Sequence, residues 1–207
     1  MTRSSAFRGR DSRSHALRQA RLTLLALSLA LLSACTLIRR PDPVTTLQLP
    51  LAGSDLAWPA VLTLGKLEST SALRGNRVLV VDGAVLMQHE GLRWVDTPAV
   101  MWSEQLRALQ ARADAAATPV ASIDVWLTDF NMRVAAASTN TAAATAHATL
   151  HCIASARSIP VAPVSASATP ASSDPQALAD AFATASREVV AALLERSAER
   201  AADCAAR

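Results

Sequence analysis

Tyrosine is missing from the 207 residues, lysine occurs once, at Lys66, and cysteine only three times. With alanine plentiful and arginine standing in for lysine, those shortages describe a GC-rich coding sequence more than a function. Other absences exclude chemistry. There is no Gly-x-Ser-x-Gly elbow to expose a nucleophile, no phosphate-cradling glycine loop and no Cys-x-x-Cys pair. Serines and aspartates are scattered, with no spacing that argues for a triad. The sequence therefore predicts no catalysis and no cofactor, and any ATP-driven step would belong to another subunit. His147 and His151 have metal-ligand spacing only on a helix. On a strand they stand about 13 Å apart at roughly 3.3 Å per residue, and one zinc, at about 2.0 Å from each nitrogen, cannot hold both. No metal site is expected.

What is present begins with a leader. Six arginines (Arg3, Arg8, Arg10, Arg13, Arg18 and Arg21) face one acid, Asp11, ahead of the apolar run LTLLALSLALL at residues 22–32. That run has the length of a secretory core and is too short to span a bilayer as a helix, which takes about 20 residues. It ends on Leu32-Ser33-Ala34-Cys35, where small residues suit a peptidase groove and the cysteine occupies the acylated position of a bacterial lipobox. The expectation is a lipoprotein: a signal peptide over residues 1–34, a thioether-linked diacylglycerol on Cys35, and a mature chain starting there. Two or three acyl chains, at about 0.8 kcal/mol per buried methylene, hold a protein firmly on a membrane. An ordinary cleavage near Ala34, or an uncleaved anchor, is the plainer alternative.

Removing the leader changes the charge. Of 20 basic and 17 acidic residues, six and one lie in residues 1–34, which leaves 14 against 16, a balance of −2 on 173 residues. The overall +3 thus belongs to the discarded segment, and no basic face remains to recruit nucleic acid. The length supports one compact domain. With Cys35 assigned to lipid, Cys152 and Cys204 remain; an envelope compartment permits a bridge between them, with two free thiols as the alternative.

Residues 36–57, with Pro41, Pro43 and Pro50, read as a tether from 35 to 57, and a folded domain spans 58–207. Thr36 follows the lipidated cysteine. By analogy with enterobacterial sorting, where aspartate there favours inner-membrane retention, the protein is expected at the periplasmic face of the outer membrane. Period-two patterns predict strands over 60–68, 77–81 and 84–88, the last two joined by an Asp82-Gly83 hairpin turn. Thr97 and Pro98 open a helix carrying Met101, Leu106, Leu109 and Ala113 on one face. Trp94 and Trp102 bracket its start and are read as core cover rather than a ligand cage. Residues 120–133 form a strand with Ile123, Val125 and Leu127 on one side and Trp126, Phe130 and Met132 on the other. An apolar surface on both sides makes self-association into a homo-oligomer an expectation. Residues 142–155 alternate, with Ala144, Ala146, Ala148, Leu150, Cys152 and Ala154 inward. The Pro/Ser/Ala-rich stretch 156–174 reads as a flexible loop, and a last helix runs over roughly 175–202. The expected fold is α+β: a small, mainly antiparallel sheet with two main helices packed on one side.

Residues 73–109, LRGNRVLVVDGAVLMQHEGLRWVDTPAVMWSEQLRAL, resemble the ABC-type transport auxiliary lipoprotein family, whose members accompany Pqi and other MCE lipid-transport systems. The resemblance lies in a strand, a polar turn, a second strand, and an Arg-Trp-x-acid-x-Pro corner, here Arg93, Trp94, Asp96 and Pro98, leading into a helix. The lipobox and the terminal alanine-rich helix fit the same order. The chain departs from the pattern where aromatics often precede the Arg-Trp pair, having Met87, Gln88 and His89 instead. The resemblance implies a non-catalytic accessory lipoprotein, held on the membrane by its lipid. It would bind the periplasmic MCE-domain protein of a phospholipid transporter that also has an inner-membrane permease and an ATPase. The corner is then either architecture or a partner contact. A structural or assembly lipoprotein of another envelope complex is the other class of reading.

Overall fold

The computed structural model describes residues 43–50, 55–113, 118–134 and 140–205. The leader, Cys35, Thr36 and the first part of the tether lie outside the described residues. No described helix is long and apolar enough to cross a membrane. Seven strands are described: β1 (Thr45–Leu47), β2 (Leu62–Ser69), β3 (Arg77–Asp82), β4 (Val85–Trp94), β5 (Ala121–Val134), β6 (Asn140–Cys152) and β7 (Ser158–Ala168). The helices are α1 (Pro98–Ala111) and α2 (Pro175–Ala205). The strands form one sheet in the order β1-β4-β3-β5-β6-β7, with β2 paired to β5 beside that path.

The expectation of a small, mainly antiparallel sheet is overturned. β1·β4, β2·β5 and β3·β5 run parallel, while β3·β4, β5·β6 and β6·β7 run antiparallel. Short connections give the antiparallel pairs. The parallel pairs are closed by longer excursions, including the passage through α1 between β4 and β5. β5 is the spine. One edge pairs along its length with β6; the other takes β2 at Ala121–Leu127 and β3 at residues 131–134.

The change of neighbour coincides with a bulge. β5 pairs Leu127 with Ala146 and then Asp129 with Thr145, so Thr128 is an extra residue. Its polar groups are satisfied: its hydroxyl donates to Thr145 O at 3.2 Å, and its carbonyl accepts from Thr70 Oγ1 at 3.3 Å. One added residue reverses the alternation. Phe130 and Met132 therefore join Ile123, Val125 and Leu127 in the core, while Trp126 stays on the other face. The two-sided apolar strand is corrected, and with it the basis for expecting self-association there.

The loop expected at 156–174 is largely strand. β7 places Ile159, Val161 and Val164 in the core, with a second bulge between its Val161 and Val164 pairings, where Pro163 falls. Pro160 and Pro163 are tolerated because β7 is an edge strand, on which a missing N–H breaks no necessary ladder bond. β1 likewise lies within the stretch read as tether, with Leu47 and Leu49 buried.

Both helices lie on one face. Thr97 caps α1, accepting from Val100 N at 3.4 Å, with Pro98 at the first helical position. Gln110 ties α1 to β2: Nε2 donates to Thr63 Oγ1 at 3.0 Å and Oε1 accepts from Leu64 N at 3.3 Å. α2 buries Phe182, Ala185, Val189 and Leu193 at steps of three or four, against a strand lined by Ala142, Ala144, Ala146 and Ala148. Small residues on the strand leave room for the helix to lie close.

Asp174 caps α2, accepting from Ala177 N at 2.8 Å. Its carboxyl is held below its ordinary value, first by the Ser172 hydroxyl and then by the Ala177 amide. A depressed carboxyl stabilises the fold above its unfolded pKa and loses that contribution as pH falls. The melting-temperature advantage of wild type over Asp174→Ala should thus be complete above pH 3.8 and close as acid protonates the folded group. Within α2, the Ser197 hydroxyl is buried without a partner. Ser197→Ala should raise stability by about 1 kcal/mol in denaturant titration, because an unsatisfied polar atom is removed at little cost in volume.

Candidate functional site

The Arg-Trp corner is divided between the two faces of the sheet. Trp94 closes β4, bonding backbone N to Asn76 O at 2.6 Å, and the next residue, Val95, donates to Leu47 O at 2.8 Å. Its indole is 1% exposed and meets Phe130 at 5.2 Å and Phe182, edge-on, at 4.9 Å between ring centroids. Phe130 also touches Phe182 at 4.6 Å and reaches Trp102 of α1 at 6.5 Å. Both tryptophans are thus core cover. Asp96 turns to its own chain, accepting from Thr97 N at 2.6 Å, and Pro98 is buried at the start of α1.

Arg93 points away from this core. It is half-buried, its Nε has no partner, and among the described residues it makes no ion pair. Across the ladder it faces Arg77. Two like charges in register repel one another, so this part of the outer face favours an anionic group from elsewhere.

Cys152 ends β6 and Cys204 lies in the last turn of α2. The structure joins them, with their Cα atoms 5.2 Å apart across 52 residues of sequence. Beside the bridge, Arg157 Nη1 donates to Asp203 O at 3.0 Å, placing a cation on the helix C-terminus. Closing a loop of this length restricts the unfolded chain by about 4 kcal/mol in the chain-entropy picture.

The sheet face opposite the helices carries an arrangement that the sequence spacing did not reveal. His151 Nδ1 lies 2.9 Å from Ser158 Oγ, and Nε2 lies 3.1 Å from Asp124 Oδ2. Asp124 Oδ1 also accepts from Lys66 N at 2.8 Å. Gly65 makes that approach feasible, since a Cβ there would fall 2.1 Å from the same oxygen. Trp126 and His147 stand next to this group with rings 21° from parallel and centroids 6.5 Å apart. Together with Glu68 and Thr149 they line a shallow cleft of about 240 Å³. No sequence signal marked Ser158, which the strand β7 brings opposite His151. The Ser-His-Asp series lies in the open: the His151 and Asp124 side chains are 46% and 34% exposed. At that exposure water competes for each of its bonds. Among the described residues no group of three or more metal-binding side chains gathers.

Two further hollows flank α2. One of about 260 Å³ is bordered by His89, Leu92, Met132 and Leu178. The other, of about 620 Å³, lies between β1 and the start of α2. Neither brings together charged or nucleophilic groups in a pattern that marks a reaction.

If the corner is architecture on its Trp94 side only, substitutions will separate. Trp94→Ala should cost about 3–5 kcal/mol by chemical denaturation, as loss of a buried aromatic does. Arg93→Met should leave stability unchanged or raise it, because it removes one of two facing charges.

No family model matches the sequence, and no curated protein matches it either. Solved structures do. The chain is similar to a Xanthomonas campestris protein of the family DUF330, at 17% identity and a TM-score of 0.63, over 77% of this chain and 99% of that one. An uncharacterized protein is similar at 14% identity and a TM-score of 0.53, over 78% and 99% of the two chains. A candidate lipoprotein from Caulobacter crescentus overlaps at 14% identity and a TM-score of 0.31, over 49% and 77%, too slight to carry any argument. At these identities the likeness speaks to the fold alone: this chain has the fold of the DUF330 structure.

Proposed function

We propose that this protein is a lipid-anchored, non-catalytic accessory of an MCE-type phospholipid transporter, sited at the periplasmic face of the outer membrane. In this role it binds the periplasmic MCE-domain protein, while the permease and ATPase in the inner membrane do the work. The observation that carries the reading is the joint occurrence of a lipobox ending on Cys35 and the Arg93-Trp94-x-Asp96-x-Pro98 corner in a single sequence. The geometry supports a division of labour within that corner. Trp94 and Pro98 hold the hairpin to α1, and Arg93, which forms no ion pair among the described residues, stands beside Arg77 on the outer face, suited to an acidic partner surface. Open, water-accessible polar groups on the sheet support contact rather than turnover.

The test is photocrosslinking in intact envelopes, with a photoreactive residue at Arg93. The MCE-domain protein should be the principal adduct, and Arg93→Glu should reduce its recovery with the native protein. Adducts confined to barrel-assembly or peptidoglycan-associated proteins would instead make this a structural lipoprotein.

A further inference from the structure

The β3–β4 hairpin carries three consecutive exposed apolar side chains. Val85, Leu86 and Met87 are 57%, 53% and 45% exposed, so both faces of β4 are wet near its turn. Gly83 opens that turn at φ 56°, with open space where a Cβ would stand. Among the described residues, the outer edge of β4 is paired at Leu92, Arg93 and Trp94, by β1. Scattered apolar residues on a surface call for no account; a run of three at the end of a hairpin does.

The path of the chain identifies what lies against it. β1 runs parallel to β4 with Thr45 opposite Leu92. Being parallel, β1 has its first residue, Thr45, toward the end of β4 that bears Val85, Leu86 and Met87. Ten residues separate Cys35 from Thr45, a reach of at most about 33–36 Å. From Leu92 back to Val85 is at most about 23 Å of strand, and the irregular register between the Arg77 and Leu79 pairings shortens it. A lipid at Cys35 thus keeps the bilayer within reach of the hairpin turn. Asp82 and Glu90 sit at either side of the apolar run, and exposed Arg133 of β5 lies opposite Val81.

We propose that the β3–β4 hairpin is a membrane foot, with Val85, Leu86 and Met87 resting in the interfacial layer of the bilayer that holds Cys35. This rests on the lipid-anchor reading above. The acyl chains set residence on the membrane; the hairpin sets orientation, giving the body two points of contact instead of a swivel.

The experiment uses full-length lipidated protein in vesicles of phosphatidylethanolamine and phosphatidylglycerol. An environment-sensitive fluorophore is attached at Leu86→Cys or Met87→Cys. The control is Val61→Cys, an exposed apolar position at the opposite end of the sheet. Nitroxide-bearing lipids should quench both hairpin probes several-fold more than the control, with blue-shifted emission, while an aqueous quencher should show the reverse order. Equal quenching at all three positions, in protein that floats with the vesicles, overturns the foot and leaves the anchor standing. Protection of the hairpin probes that persists in lipid-free detergent and grows with protein concentration also overturns it, in favour of a second copy. Failure of the unlabelled protein to float overturns the anchor, and the foot with it.

Discussion

Phe130 is the point on which the two layers of this protein converge. Its ring touches Trp94 from the β4 corner, Phe182 from α2 and Trp102 from α1. It reaches that position only because Thr128 adds one residue to β5 and turns the second half of the strand inward. Without the bulge, Phe130 and Met132 would face solvent beside Trp126, and the helices would meet a sheet lacking its central aromatic. The same bulge marks where β5 exchanges β2 for β3 as a neighbour, so topology and core are set by one local irregularity.

Much of the local structure could be read from the chain because it depends on short-range chemistry. The glycine that opens the hairpin, the Thr97-Pro98 helix start and the alternation through residues 142–152 each have a cause within a few residues. Strand direction has no such cause: a period-two pattern is the same for parallel and antiparallel neighbours, and three of the six pairings proved parallel. The bulge at Thr128 left no compositional mark, so the faces of β5 were misassigned beyond it. Residues 158–168 were lost to the opposite error. Their prolines are loop signals in isolation, and only position on the sheet's edge makes them compatible with a strand. The Ser158-His151-Asp124 series depended on that strand and was invisible for the same reason.

Function divides along the two faces. Inward, Trp94, Pro98 and the aromatic cluster fix the corner, and the Cys152–Cys204 bridge fixes the far end of α2 to β6. Outward, the sheet offers facing arginines at one end of the β3–β4 ladder and a polar cleft around Trp126. Prolines on β7 blunt the open edge that would otherwise invite indiscriminate strand pairing. The proposed role, positioning other components on a membrane, draws on these few surfaces of the body spanning Pro43–Arg207.

That picture stands or falls on how the body is held. The direct measurement is the mass of the N-terminal peptide of protein recovered from membranes of its native host. It should begin at Cys35 and carry a diacylglyceryl group together with an amide-linked acyl chain. An unmodified peptide beginning at another residue, or the intact leader, would contradict the account.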